Sequence, residues 1–170
     1  MWRNNMDEFS TERERKSHQR KNELIDAALI VFSKKGFTGS TTKDIAAEAG
    51  VTDGLIYHYF ASKEELLWAV IDKHHFTGEI RRILQFSDNL TIQEVFNRLF
   101  IRLLELMHQN EHFLVMLFGE AQRNPKVADK IQTLIRYGVD ILSAFLEKRI
   151  ERGDIKKGVQ TRHIARHFLN

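Results

Sequence analysis

Residues 41–60, TTKDIAAEAGVTDGLIYHYF, restrict the possible fold more than any other part of the sequence. The apolar residues in this segment recur every three or four positions, which is the spacing of one face of an α-helix. Gly50 interrupts that pattern, and glycine can enter the left-handed conformation in which a chain leaves a helix because it has no Cβ atom to clash. The segment therefore predicts two short helices joined by a turn at Ala49-Gly50-Val51.

The second of these helices keeps its apolar and polar residues on different faces. Ile56 and Phe60 are four positions apart and share one face, which we expect to be buried. The residues on its other faces are Asp53, Gly54, Tyr57 and His58. Thr41 with Asp44 has the spacing of a capping box for the first helix, and Thr52 is expected to cap the second. This layout is typical of a helix-turn-helix, whose second helix enters the major groove of DNA.

A helical hairpin with a solvated polar face would give the same pattern. The residues that follow the motif help to distinguish such a hairpin from a DNA-binding motif. The run Ser62-Lys63-Glu64-Glu65 is another capping box and begins a third helix. Its first turn brings Lys63 beside the motif, together with the hydroxyl groups of Tyr57 and Tyr59. An ammonium group and phenol hydroxyls suit phosphate oxygens, which fix the register of a protein on DNA.

Composition extends the helical prediction to the whole chain. One proline and nine glycines occur in 170 residues, and no segment alternates in the manner of a strand. Because 42% of the residues are hydrophobic, the chain can bury a core, and we predict an all-α protein. Helix starts are predicted at Thr11, Ser62, Thr91, Asn110, Pro125 and Thr161. The helix from Ser62 is predicted to continue to about Gln85.

Charge and the lack of cysteine narrow the class of function. The net charge of +3 is compatible with nucleic acid, and a basic cluster interleaved with glutamates precedes the motif. Its members are Arg13, Arg15, Lys16, Arg20 and Lys21. A solvated helix end explains this cluster equally well. With no cysteine, no signal-peptide-like start and no apolar run near the roughly 20 residues that span a bilayer, we expect a cytoplasmic protein that has no membrane partner.

No arrangement of residues points to catalysis, a metal or a cofactor. The sequence has neither a nucleophile–base spacing nor a glycine-rich phosphate loop, so we predict that the protein is not an enzyme. Two histidine pairs at four-residue spacing are compatible with a metal on a helix, but neither has a third ligand at fixed spacing. These pairs are His108 with His112 and His163 with His167. We therefore predict no metal site and no cofactor.

The motif resembles the DNA-binding region of the tetracycline-repressor (TetR) family of bacterial transcription regulators. The likeness rests on TTKDIAAEAGV-T-DG-LIYHYF-ASKEELL, in which the Ile-Ala pair, the Ala-Gly-Val turn, Gly-x-x-Tyr, the terminal Tyr-Phe and Ser-Lys-Glu agree without a gap. The preceding helix agrees as well, through Ala27-Ala28, Phe32 and Lys35-Gly36-Phe37. The resemblance covers about residues 20–69, and beyond them the likeness is one of architecture.

The resemblance implies an N-terminal three-helix helix-turn-helix DNA-binding domain followed by a helical-bundle domain for ligand binding and dimerisation. We expect a flexible arm over residues 1–10, the DNA-binding domain over 11–64 with its motif at 41–60, and the effector and dimerisation domain over 65–170. Members of the family usually continue with further helical residues that build the dimer interface. Either such a segment is missing after Asn170, or this protein dimerises differently.

Nine residues are expected to face DNA. Those expected near base edges are Lys43, Thr52, Asp53 and Gly54, and those expected on phosphates are Thr42, Tyr57, His58, Tyr59 and Lys63. Asp53 is awkward beside phosphate, and it either accepts from a cytosine amino group or only caps its helix.

The resemblance also implies a small-molecule effector, which lowers operator affinity by favouring a conformation whose two DNA-reading heads no longer match the duplex. Its cavity is expected among the helices between Thr91 and Arg152. The candidate lining residues are Phe96, Phe100, Leu103, Met107, Phe113, Met116 and Phe145. Any one of them fits a packed bundle core as well, since aromatic and methionine residues at helical spacing are usually core. Their apolar character suggests a hydrophobic effector.

These expectations combine into one leading hypothesis and one alternative. The leading hypothesis is a ligand-responsive transcription regulator, a repressor that binds an inverted-repeat operator as a homodimer. The alternative is a helical protein-interaction module without sequence-specific DNA binding.

Overall fold

The structure consists of α-helices and connecting turns. It is a computed structural model that describes the backbone of residues 3–169 and the side chains of residues 11–169. Its helices are α1 (Arg3–Gly39), α2 (Thr42–Glu48), α3 (Asp53–Tyr59), α4 (Lys63–His74), α5 (Thr77–Gln85), α6 (Ile92–Gln109), α7 (Glu111–Ala121), α8 (Pro125–Glu151) and α9 (Thr161–Leu169). Residues 3–169 contain no strand, which confirms the all-α prediction, and none of their helices is long and apolar enough to cross a membrane. The chain divides into two compact units, residues 1–74 and 75–170.

The first unit is built on one face of α1. Leu24, Ala28 and Phe32 lie on this face and have no solvent exposure. The helical conformation is interrupted at Gly36, whose φ of 73° belongs to the left-handed region, and this lets the chain turn towards α2. Helices α2 and α4 pack against α1, and α3 packs against α2. The resulting core holds the start of α2, the end of α3 and the start of α4 together.

The N-terminal part of α1 differs from the prediction. The helix begins at Arg3, so Thr11 lies inside it and does not start a helix as predicted. The backbone of residues 3–10 is helical, whereas the side chains of residues 1–10, where a flexible arm is predicted, lie outside the described part of the structure.

The single helix predicted over residues 62–85 is wrong, because the chain forms two helices there. The break falls at His75, between α4 and α5. The buried Thr77 places its hydroxyl group 2.6 Å from Nδ1 of the His75 ring. The apolar residues of α4 are part of the core of the first unit, whereas Ile80 and Leu84 of α5 belong to the core of the second. An apolar pattern that looks continuous in the sequence thus serves two cores.

The second unit packs α5, α6, α8 and α9 around one apolar core. Its buried members are Ile80, Leu84, Val95, Leu99, Val139, Leu142, Leu146 and Ala165. The capping box of Thr91 with Glu94 starts α6 as predicted, and the side chain of Asn124 accepts a backbone N–H at the start of α8. Asn110 precedes α7, but its side-chain amide donates to the carbonyl group of Leu106 (2.9 Å), so it does not cap α7 as predicted.

A buried arginine fastens the α5–α6 connection to the end of α8. Arg149 is 4% exposed, and its Nη2 donates to the carbonyl oxygens of Ser87 (2.6 Å) and Leu90 (2.8 Å). Its Nη1 donates to a carboxylate oxygen of Asp154 (2.6 Å), and the guanidinium carbon lies 5.2 Å from the centre of the Phe145 ring. The connection has no helical hydrogen bonds of its own, so Arg149 supplies donors to two of its carbonyl oxygens, while Arg152 pairs with Asp88 on its surface.

Candidate nucleic-acid interface

The turn between α2 and α3 is closed by backbone hydrogen bonds around Gly50. This glycine has a φ of 65°, and the N–H of Val51 donates to the carbonyl of Ala46 at 2.9 Å. A hydrogen bond of this span around a left-handed glycine is the Schellman arrangement, which ends a helix and redirects the chain. The predicted turn is therefore confirmed, and it fixes the direction in which α3 leaves α2.

The start of α2 is fixed by a carboxylate. Asp44 and Thr41 form the predicted capping box, and Nζ of Lys35 donates to the same carboxyl group at 2.6 Å. The hydrogen bond from Lys35, followed by those from the side chain and backbone of Thr41, lowers the pKa of Asp44 to about 2. The Asp44 carboxylate consequently stays charged at neutral pH, and the ammonium group of Lys35 is paired with it instead of being free for a ligand.

Neighbouring residues of α3 face in opposite directions. Ile56 and Phe60 are 1% and 2% exposed, whereas Tyr57 is 56% exposed and His58 is also exposed. The helix is thus anchored by one face and presents the other to solvent. This is the division that the sequence predicts for a helix that reads DNA.

The first residues of α3 are arranged differently from the prediction. The side chain of Thr52 makes no capping hydrogen bond, because the N–H of Leu55 donates to the Thr52 carbonyl instead (3.0 Å). Thr52 and Gly54 are exposed, which leaves both open to a ligand. Asp53 is half-buried, and its Oδ1 is buried without a hydrogen-bond partner.

A group of polar side chains joins α2 to the exposed face of α3. The hydroxyl oxygens of Thr42 and Tyr57 are 3.3 Å apart, so these two predicted contacts lie side by side. Lys43 is exposed next to them in the sequence. The ring of His58 meets the ring of Tyr59 edge-on, with 5.0 Å between the centroids. Hydroxyl, imidazole and ammonium groups are therefore available on this surface.

Lys63 lies beside the motif as predicted, but its ammonium group points into the protein. Nζ donates to the carbonyl oxygens of Phe37 and Ser40, each at 2.8 Å, and lies 4.5 Å from the centre of the Phe37 ring. Two of its three N–H groups are thus used on the turn between α1 and α2. Lys63 ties the start of α4 to that turn and has one N–H left for an outside acceptor.

Two contacts between α1 and the end of α3 are not predicted by the sequence. The hydroxyl of Ser17 donates to the hydroxyl of Tyr59 at 3.4 Å, and Nζ of Lys21 lies 5.3 Å from the centre of the Phe60 ring. Ser17 and Lys21 are one helical turn apart, which is the signal that they share a face. The sequence alone does not reveal that this face borders α3.

The residues predicted to line an effector cavity have different environments in the second unit. Phe96 and Phe145 pack against its core, Phe113 is buried, and Leu103 and Met116 are half-buried, while Phe100 and Met107 are each 56% exposed. A cavity of about 310 Å³ lies elsewhere in this unit, and its lining residues are Gln132, Ile135, Arg136, Val139, Arg162 and Arg166. None of the seven predicted residues lines that cavity.

The histidine pairs do not form part of a metal-binding group. Among the side chains described, no three histidine, aspartate or glutamate residues are close enough to hold a metal ion. His163 and His167 share α9, and Nδ1 of His167 lies 2.9 Å from the backbone carbonyl of His163. His108 is in α6 and His112 is in α7, so they do not share one continuous helix.

The anchored and exposed faces of α3, together with the turn at Gly50, define a helix-turn-helix protein of the DNA-binding class. Residues 24–70 match the family described as "Bacterial regulatory proteins, tetR family". The HTH-type transcriptional repressor KstR2 of Mycobacterium tuberculosis is 30% identical over 148 residues, which cover 81% of this chain and 72% of KstR2. The chain belongs to the TetR family of bacterial transcription regulators.

Two further comparisons support this assignment. The fatty acid metabolism regulator protein of Bacillus subtilis is 29% identical over 149 residues, which cover 86% of this chain and 76% of the relative. The crystal structure of FadR from Bacillus subtilis in complex with stearoyl-CoA matches with a TM-score of 0.70 and 28% identity, over 86% of this chain and 79% of FadR. The protein is a DNA-binding transcription regulator and not an enzyme, and the alternative of an interaction module without DNA binding is not supported.

Proposed function

We propose that this protein is a repressor that binds an inverted-repeat operator as a homodimer and leaves it when a small hydrophobic ligand binds the second unit. The opposite exposure of neighbouring residues on α3 carries the DNA-binding part, because Ile56 and Phe60 anchor a helix whose Tyr57 is open to solvent. The relative KstR2 is named a repressor, which supports repression rather than activation as the function proposed for this protein. Two copies of α3 enter major grooves about 34–36 Å apart, or a multiple of that distance.

The residues of the interface divide between bases and phosphates. Lys43 on α2 and the open start of α3, formed by Thr52 and Gly54, approach base edges. The half-buried Asp53 has one carboxylate oxygen turned inward, so only its second oxygen is available to a cytosine amino group.

Hydroxyl and imidazole groups suit the phosphate contacts. These contacts come from Thr42, Tyr57, His58 and Tyr59, with Lys63 contributing its one remaining N–H. Because phosphates are present at every sequence, these contacts hold the register and add affinity rather than specificity.

The proposed effector is a molecule with a long apolar part. The structure of FadR with stearoyl-CoA supports an acyl thioester as the chemical class. In this chain, the exposed apolar side chains of Phe100 and Met107 on α6 are compatible with such a ligand. The ligand acts by binding more tightly to the conformation that fits DNA poorly. Because bacterial DNA lies in the cytoplasm, the proposed place of action is the cytoplasm.

A DNase footprint on the DNA upstream of the protein's own gene tests this function. We expect a protected site with two symmetric halves, and we expect stearoyl-CoA to abolish the protection while free coenzyme A leaves it intact. A protected site without symmetry contradicts the dimeric operator. Protection that persists in the presence of stearoyl-CoA contradicts the proposed class of effector, and the absence of any protected DNA contradicts the repressor itself.

Two substitutions distinguish base contacts from phosphate contacts. Lys43→Ala is expected to relax base preference at one position of each half-site, at a cost of about 1–3 kcal/mol on the preferred duplex. Tyr57→Phe removes a neutral donor to phosphate, so it is expected to weaken binding to all duplexes roughly fivefold, which is about 1 kcal/mol, without a change in base preference. Tyr137→Phe, on α8 of the second unit, is the matched control and should bind DNA as the wild type does. If a fluorescence titration gives all three variants the affinity of the wild type, the assignments of Lys43 to a base edge and of Tyr57 to a phosphate are contradicted.

A further inference from the structure

The buried face of α1 continues towards the N-terminus as a cationic face. Leu24 and Ala28 lie on the side of α1 that is buried in the first unit. Counting back from Leu24 at three- and four-residue spacing gives Lys21, Ser17 and Arg13, all exposed. The same stripe of the helix therefore changes from apolar to positively charged where α1 extends beyond the core.

This face, defined by Arg13, Ser17 and Lys21, borders the C-terminal end of α3, where Tyr59 is half-buried and Phe60 is buried. The hydroxyl of Ser17 is 3.4 Å from that of Tyr59, and Nζ of Lys21 is 5.3 Å from the centre of the Phe60 ring. Arg13 lies one further helical turn along the same side, at about 6 Å of rise from Ser17. A duplex in contact with Tyr59 would thus lie beside the cationic face.

The glutamates of this segment neutralise other cations. Glu12 pairs with Arg15 (2.9 Å) and Lys16 (3.4 Å), and Glu23 pairs with Arg20 (2.7 Å). All three of these bridges lie within α1. Glu14 is the remaining acidic residue, and it lies at the edge of the cationic face.

Arg13 and Lys21 have no carboxylate partner among the side chains described. Their two charges are separated by eight residues, or about 12 Å along the helix axis. DNA carries one negative charge per about 1.7 Å of its axis, so a duplex offers phosphates over the whole of that length. Both cations are consequently available to phosphates of the duplex.

We propose that the cationic face of α1 binds the DNA backbone next to the groove entered by α3. Two members of the basic cluster before the motif, Arg13 and Lys21, therefore belong to a second DNA-contacting element, whereas Arg15, Lys16 and Arg20 are paired with glutamates within α1. This inference rests on the proposed function, because it requires that α3 lies against DNA. It adds contacts outside the helix-turn-helix that increase affinity for any sequence.

The test compares two arginines of one helix that face opposite ways. Arg13 and Arg15 are two positions apart, so their side chains are separated by about 200° around the helix. The full chain and its Arg13→Gln and Arg15→Gln variants are titrated against a fluorescein-labelled 40-base-pair duplex of mixed sequence at several KCl concentrations. Arg13→Gln is expected to reduce the magnitude of the salt slope by about 0.9 for each bound subunit, and Arg15→Gln is expected to leave it unchanged. Lys21→Gln added to Arg13→Gln is expected to reduce it by about 1.8 in total for each bound subunit.

The outcomes separate this inference from the proposed function. If the wild type binds the duplex but Arg13→Gln has the wild-type slope, the cationic face does not contact DNA. If Arg13→Gln and Arg15→Gln lower the slope equally, only net charge matters and the inference fails. If the wild type does not bind DNA at all, both the proposed function and the inference are overturned. Circular dichroism of each variant without DNA verifies the fold, and Arg13→Gln, which replaces an exposed side chain, is expected to melt as the wild type does.

Discussion

Replacing Phe60 by alanine is expected to lower the melting temperature of the DNA-binding unit strongly. Phe60 follows the last residue of α3 and is 2% exposed. Removal of a buried phenylalanine side chain costs about 3–5 kcal/mol, because both transfer energy and packing are lost. A domain of this size has a stability of about 5–15 kcal/mol, so the variant loses a large part of it. Thermal unfolding followed by circular dichroism is expected to give a first transition at much lower temperature, together with loss of duplex binding.

Tyr57→Ala is the matched control for Phe60→Ala, since both remove an aromatic ring at α3. Tyr57 is 56% exposed, so its removal is expected to change the free energy of unfolding by no more than about 0.5 kcal/mol. It is nevertheless expected to weaken DNA binding, because the proposed contact with phosphate is lost. A Phe60→Ala protein that melts at the wild-type temperature would contradict the inward orientation of α3, on which the proposed interface depends.

Replacing Arg149 by methionine is expected to destabilise the second unit by about 3 kcal/mol. The variant leaves the carbonyl oxygen of Leu90 without its donor, and the carbonyl oxygen of Ser87 keeps only the N–H of Leu90 (3.0 Å). A buried unsatisfied acceptor costs about 1–3 kcal/mol. Asp154 adds little, because its side chain is 40% exposed and water can replace the arginine. Hydrogen exchange is expected to become faster first in the α5–α6 connection, since Arg149 is the side chain that fastens it.

Arg152→Met is the control, because Arg152 follows Arg149 by three residues and pairs with Asp88 at 2.8 Å on the surface. An exposed pair of this kind contributes about 0–1 kcal/mol. Urea unfolding of the two variants should therefore give clearly different midpoints, with Arg152→Met close to the wild type. Equal midpoints would mean that burial of Arg149 does not make its hydrogen bonds more important than a surface ion pair.

The part of the fold that sequence predicts best is the part governed by local signals. The turn at Gly50, the capping box of Thr41 with Asp44, and the alternation of buried and exposed residues in α3 are all decided by neighbours within four positions. The break at His75 is not decided in this way. The apolar spacing continues through it, and only the presence of two separate cores reveals that the helix ends there.

The least predictable feature of the site is which distant part of the chain each side chain contacts. The acceptors of Lys63 are backbone oxygens of Phe37 and Ser40, up to 26 residues away, and no spacing rule reports them. The same limit applies to Ser17, which meets Tyr59 across 42 positions. The proposed effector residues illustrate it again, because apolar spacing indicates that Phe100 and Phe113 are on helix faces but does not distinguish the exposed one from the buried one.

The way in which Lys63 holds the turn before α2 has an evolutionary consequence. Its hydrogen-bond acceptors are main-chain oxygens, which every residue type supplies. Substitutions at Thr38 and Gly39, between Phe37 and Ser40, therefore leave the two acceptor carbonyl oxygens in place. The lysine has no equivalent replacement, since the planar fork of arginine has a different reach and geometry. Selection for this attachment consequently falls on one side chain and leaves the intervening residues free to diverge.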